Sequence, residues 1–186
     1  MLTPEEGRTA VHLARNAIKA ALNGEEMVLH DLPAIFGERR GVFVTLKQQG
    51  HLRGCIGLPY PTRPLGDAIV EAAVSAALED PRFLPVSRRE LGDIALEVTV
   101  LTEPRPLRCP PEQLPGCIEV GKHGLIVNGL GTGGLLLPQV PVEYGWTSRE
   151  FLDQTCIKAG LPVGCWRRGD VAVQAFEGQI FEEKAV

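Results

Sequence analysis

GVFVTLKQQGHLRGCIG, residues 41–57, is the stretch on which the fold turns. Val42, Val44 and Leu46 alternate with Phe43, Thr45 and Lys47, the period of two that gives a strand one apolar and one mixed face. A polar Gln48-Gln49-Gly50 turn follows, and then a second short strand ending at Cys55, so the segment reads as a hairpin. Cys55 is flanked by Gly54 and, beyond Ile56, by Gly57. Glycine removes the side-chain shield and permits positive φ, which would set the thiol at a tight, accessible turn. The guanidinium of Arg53 would favour the thiolate, the form that attacks carbon or binds metal. The same four residues equally describe a close-packed strand crossing in which the thiol is small and inert.

Helices flank the hairpin. Thr3-Pro4-Glu5-Glu6 is a capping box with proline at the first helical position, and Val11, Ala14, Ile18 and Leu22 recur at helical spacing up to Asn23-Gly24. The first helix therefore runs from about residue 4 to 22. A second, from about 65 to 79, carries Leu65, Ile69, Ala72, Ala73 and Ala76, an alanine face suited to close packing on a sheet. Ser87 to Glu90 forms another capping box for a single turn. Ile94, Leu96, Val98 and Val100 then alternate with Ala95, Glu97 and Thr99, so residues 94–101 are a strand.

Prolines between 104 and 115 make a stiff connection. Short apolar runs at 117–120, 125–127 and 135–137 read as strands, Thr147 to Glu150 caps a helix bearing Phe151, Leu152 and Cys156, and Val171–Phe176 and Gln179–Phe181 close the chain as strands. The order lacks the strand and helix alternation of a doubly wound sheet. It predicts an α+β fold with a mainly antiparallel sheet packed by helices, in one domain over residues 1–186.

The formal net charge of the 186 residues is −4, and the arginines are scattered as pairs at 39–40, 88–89 and 167–168, which excludes a nucleic-acid footprint. No run approaches the ~18 apolar residues of a membrane span, and the N-terminus shows no basic region leading into an apolar one. A cytoplasmic protein is expected. The five cysteines, at 55, 109, 117, 156 and 165, include no C-x-x-C pair, and reduced thiols are the expectation, with a Cys109–Cys117 bridge open.

Gly129-Leu130-Gly131-Thr132-Gly133-Gly134 satisfies the letter of a dinucleotide-binding turn, but Leu135-Leu136-Leu137-Pro138 follows where a helix N-terminus is required, so no such cofactor is expected. His51, Cys55 and His123 have nondescript metal-ligand spacing, and neither metal nor cofactor is expected. Cys55 as nucleophile, His123 as base and Glu97 as orienter fit the logic of an activated thiol if they meet. Asp80-Pro81-Arg82-Phe83 closes the second helix, leaving Arg82 free to line a cleft. Gln139, Glu143, Tyr144 and Trp146 gather polar and aromatic groups that suit a pocket wall or a partner anchor.

Taken in order, GVFVTLKQQGHLRGCIG (41–57), EDPRFLPVSRREL (79–91), LEVTVL (96–101), IEVGKHGLIV (118–127), GLLLPQVPVEYGW (134–146) and FLDQTCIKAGLP (151–162) resemble the AMMECR domain family, whose prokaryotic members are called AmmeMemoRadiSam system protein A. The resemblance implies an α+β domain with a larger and a smaller lobe and a cleft lined by the LRGCIG segment. It also implies a shared pathway with a radical SAM enzyme and a Memo-like protein. Carried over by residue, the family pattern falls on Arg53, Gly54, Cys55, Gly57, His123, Pro138, Gln139, Glu143 and Trp146. The expected function is that of an enzyme or enzyme accessory. It would use Cys55 on a small or peptidic substrate, with His123 and Glu97 in support and Arg53, Gly54, Gly57, Gln139, Glu143 and Trp146 binding. The alternative is a non-catalytic module that docks those two partners.

Overall fold

Thr3 and Glu6 exchange hydrogen bonds in the computed structural model, which describes residues 1–183: Thr3 Oγ1 accepts the Glu6 N–H and a Glu6 carboxylate oxygen accepts the Thr3 N–H. This capping box opens α1 (Pro4–Asn23), and Gly24, at φ 71°, closes it in the left-handed conformation that glycine adopts without a Cβ penalty. Ala10, Val11, Ala14, Ala17 and Ile18 form its buried stripe.

Two compact units make up the chain. The first comprises residues 1–101 together with the described residues from 179 onward; the second is 102–178.

In the first unit, β1 (Val42–Gln48) and β2 (His51–Leu58) are the antiparallel hairpin, and β1 also pairs antiparallel with β3 (Ile94–Leu101). β2 stands at the edge of the order β2-β1-β3. Val42, Val44 and Leu46 are fully buried and, with Leu96, Val98 and Val100, face α1 and α2 (Leu65–Leu78). Burying each such side chain contributes roughly 1.5–3 kcal/mol. Ala68, Ala72, Ala73 and Ala76 are small enough to bring α2 against the sheet, and all four are buried. The chain returns through the end of β7 (Val171–Glu182), next to β3, where the Glu183 N–H donates to the Leu96 carbonyl.

In the second unit, β5 (His123–Gly129) and β6 (Thr132–Leu136) form a hairpin, and the earlier part of β7 pairs with β5 on one side and with the two-residue β4 (Arg105–Pro106) on the other. The turn between β5 and β6 is Leu130-Gly131, both at positive φ, so the glycine-rich run is a tight hairpin with no phosphate-binding helix behind it. α3 (Gln139–Glu143) is a short helix, and α4 (Ser148–Lys158) opens on the Thr147–Glu150 capping box and buries Phe151, Leu152 and Cys156.

The mainly antiparallel α+β architecture stands, with several corrections. β2 continues past Cys55 to Leu58, so the cysteine lies inside a strand and not at a turn. The last two strands are one twelve-residue strand. Residues 117–120 hold no strand; a single turn at Leu114–Cys117 occupies the start of that run. Gln139 to Glu143, read as an approach to a helix, are themselves helical. The reduced-thiol expectation is also overturned: Cys109 is joined to Cys117 and Cys156 to Cys165, which leaves Cys55 as the free cysteine. Separations of eight and nine residues carry no pairing signal in sequence. Folding places Cys156 and Cys165 side by side among the buried residues of the second unit.

Candidate functional site

Cys55 is half-buried on the outermost strand, directly opposite Thr45, and Thr45 is in turn directly opposite Glu97. Because alternate residues share a face, Cys55, Thr45 and Glu97 form a row across β2, β1 and β3 on the side away from the helices. Thr45 Oγ1 lies 3.4 Å from the Cys55 sulfur. At the other end of the row the buried Glu97 carboxylate accepts from Lys47 Nζ at 2.7 Å. That hydrogen bond raises the Lys47 pKa above the ordinary lysine value against the opposing effect of desolvation. Thr45 therefore stands between the thiol and the carboxylate.

The backbone of Cys55 is held from outside the sheet. An edge strand leaves N–H and C=O groups unpaired, and here two side chains from the loop after α2 take both groups of one residue. The Cys55 N–H donates to Asp80 Oδ2 at 2.9 Å, and Arg82 Nη2 donates to the Cys55 carbonyl at 3.1 Å. The two side chains also bind each other, with Arg82 Nε and Nη2 donating to Asp80 at 2.9 and 2.7 Å. Pro81 prevents continuation of the helix, and Asp80 Oδ1 accepts the Arg82 N–H to make the local turn. Asp80 is 4% exposed. The Arg82 guanidinium, then the backbone N–H groups of Cys55 and Arg82, hold its carboxyl far below the usual carboxylate range although burial opposes this.

Both glycines of the segment serve packing, and neither has a positive φ. A Cβ on Gly54 would overlap the Ala76 carbonyl of α2, and one on Gly57 would overlap the Phe43 ring, which lies across it from the neighbouring strand. Arg53 goes elsewhere. The register shift between Leu46 and Lys47 makes it the extra residue of a β-bulge, which re-aims its side chain. Its Nε donates to Glu90 Oε1 at 2.6 Å, and its guanidinium lies 5.9 Å from the centre of the Phe83 ring. Arg53 in turn draws the Glu90 pKa below its ordinary value. The cation bound to Cys55 is Arg82, for which the sequence predicts no more than freedom to line a cleft. Its signal was an Asp-Pro-Arg immediately after the helix that crosses Gly54.

The second unit holds the remaining candidates. His123 begins β5, and its Nδ1 accepts the Glu119 N–H at 3.0 Å, which puts the proton of the neutral ring on Nε2. Glu177, opposite it on β7, lies 4.0 Å from Nε2. Gln139 is half-buried and Glu143 exposed on α3. Trp146 packs against the core of this unit while its ring stacks on the exposed Tyr144 at 4.8 Å. Among the described residues no group of three or more His, Cys, Asp or Glu side chains is placed to hold a metal ion. No helix among them is long and apolar enough to cross a membrane.

Residues 11–181, which reach into both units and include every candidate site residue above, match the AMMECR1 family. The chain belongs to that family. A protein of Methanosarcina barkeri is 53% identical over 189 residues, 99% of this chain and 93% of the relative. One of Methanothermobacter thermautotrophicus is 52% identical over 185 residues, 98% and 96% of the two. The crystal structure of an uncharacterized protein from Pyrococcus horikoshii is 47% identical and superposes with a TM-score of 0.90, covering 98% of this chain and 94% of that one. AMMECR1 membership rests on the match over residues 11–181, and the structural likeness shows the shared fold.

Proposed function

We propose that this AMMECR1-family protein is an enzyme or enzyme accessory whose reactive group is the Cys55 thiol, acting on a small or peptidic substrate in the cytoplasm. The observation that carries this reading is the clamp on Cys55: a buried, ionised Asp80 and its Arg82 partner fix both backbone groups of one edge-strand residue. Such a clamp holds a side chain in one place at a strand edge, as a positioned nucleophile requires. Arg82, and not Arg53, is the cation held against Cys55, because Arg53 is committed to Glu90. Glu97 stays in the proposal as the orienting carboxylate, in register with Thr45 and paired with Lys47. His123 stays in the proposal as the base, a role that needs its Nδ1-protonated tautomer and so the loss of the Glu119 hydrogen bond. Gln139, Glu143 and Trp146 remain the proposed binding residues, and a radical SAM enzyme and a Memo-like protein the proposed pathway partners.

Alkylation of the native protein, resolved by peptide mass spectrometry across pH, tests it. Selective modification of Cys55 that changes rate in Asp80→Asn is the expected result. A Cys55 that is inert until the protein unfolds overturns the reading.

A second reading, a non-catalytic docking module, is favoured by the exposed Tyr144 stacked on Trp146 with the exposed Val142 beside them in sequence. Aromatic anchors of this kind dominate interface energetics. Under it, Trp146→Ala weakens capture of the radical SAM or Memo-like protein while Cys55→Ser leaves it intact.

A further inference from the structure

A cavity of about 340 Å3 opens in the first unit, where the last turns of α1 meet the loop before β3. Arg15, Lys19, Leu22 and Asn23 line it from the helix at intervals that keep them on one face, and Arg88, Leu91 and Gly92 line it from the loop. Leu22 and Leu91 supply the apolar wall. The charges are unequal. Arg15 is spent: its guanidinium pairs with the Glu183 carboxylate and donates to the carbonyls of Leu91 and Ile94. Lys19 and Arg88, both exposed, have no carboxylate partner among the described residues.

The C-terminal end of a helix ordinarily repels anions, because its last carbonyls are unsatisfied. Here those of Ala20, Ala21 and Leu22 are covered. The Gly24 and Glu25 N–H groups donate to Ala20, Gly24 also reaches Ala21, and Arg88 Nε donates to the Leu22 carbonyl at 2.8 Å. That last bond orients the Arg88 guanidinium at the cavity and leaves its terminal nitrogens for a ligand. Two uncompensated cations, the Asn23 amide and an apolar wall are what an anion with a short hydrocarbon body would meet, and the size is that of a small-molecule site.

We propose that this cavity binds a small amphipathic anion, a carboxylate or phosphate on an apolar body, held by Lys19 and Arg88. The site shares no residue with the Cys55 clamp and stands or falls apart from it. The test is an amide-resolved NMR titration of the full chain with hexyl phosphate, hexanoate, inorganic phosphate and hexylammonium. Saturable shifts at Lys19, Leu22, Asn23 and Gly92 with hexyl phosphate or hexanoate are expected, the tighter of the two naming the headgroup, with hexylammonium silent. Lys19→Gln, which leaves the Arg88 cap on the helix intact, weakens binding by about tenfold, roughly the loss of one charge-assisted contact. No saturable shift at those amides, equal response to hexylammonium, inorganic phosphate binding as well as hexyl phosphate, or unchanged affinity in Lys19→Gln each overturns the proposal.

Discussion

The carboxylate of Asp80 accepts the backbone N–H of Cys55 at 2.9 Å, a contact between a loop and an edge strand 25 residues apart in the chain. Because Arg82 closes the same clamp from the carbonyl side, the geometry of Cys55 depends on an ion pair that is buried at one end and about half-exposed at the other. Everything the sequence suggested about an exposed reactive corner is reorganised by this contact. The thiol is set by side chains that grip its backbone, and the neighbouring glycines make room for packing.

Asp80→Asn keeps an acceptor for the Cys55 N–H but removes the charge that Arg82 neutralises. Because the Arg82 end is open to solvent, the loss is discounted to about 1–2 kcal/mol. The sign with pH follows from a folded pKa that lies below the unfolded carboxylate value of about 3.9. The stabilisation is complete above that value and is lost as pH falls below it toward the folded pKa. Thermal melts from pH 7 downward should therefore show the wild type and Asp80→Asn converging in acid. A constant gap between them across that window would refute the linkage.

Arg53 and Arg82 separate cleanly as a pair of variants. Arg53→Lys loses the two-nitrogen contact with Glu90 and part of the Phe83 stack, which costs about 1 kcal/mol in stability. It should leave Cys55 alkylation within about twofold of wild type. Arg82→Lys removes the donor to the Cys55 carbonyl and should change the alkylation rate several-fold at similar stability. Stopped-flow alkylation alongside melting curves checks both, and the opposite pattern would return the activating role to Arg53.

Gly54→Ala and Gly57→Ala should differ in severity. The new methyl at 54 meets the backbone carbonyl of Ala76, which can yield only if α2 moves off the sheet, so a loss of about 2–3 kcal/mol is expected. At 57 it meets the Phe43 ring, which can turn, and about 1 kcal/mol is expected. Denaturant unfolding of the two proteins measures this, and equal losses would contradict the packing account.

Periodicity carried much of the fold because its signals are local. Alternation in residues 42–46 and 94–101, the capping boxes at Thr3 and Thr147, and the Asn23-Gly24 stop each depend on a few adjacent side chains. The site was legible only in part. LRGCIG announced Cys55, but the Asp80 clamp and the Cys156–Cys165 bridge are contacts between segments whose spacing is arbitrary. The bulge that turns Arg53 toward Glu90 is a property of strand register, which leaves no mark in a single strand's sequence. Gln139 to Glu143 escaped notice as a helix because a helix of five residues has too few turns to show a period.

Cysteine pairing gives a thiol count that separates two closed bridges from one or none. With Cys109–Cys117 and Cys156–Cys165 closed, unfolding without reductant exposes one titratable thiol, Cys55, and reduction exposes all five. The Cys156–Cys165 bridge closes a short loop within the second unit, and the chain-entropy account assigns such a loop about 2–3 kcal/mol. Cys156→Ala should therefore lower the melting temperature of non-reduced protein, and the gap between it and the wild type should close when both are melted in reductant. Because Cys156 and Cys165 are both buried, reduction should be slow until the unit opens. Five free thiols in protein isolated with its thiols trapped at lysis would overturn the pairing and remove the stability assigned to it here.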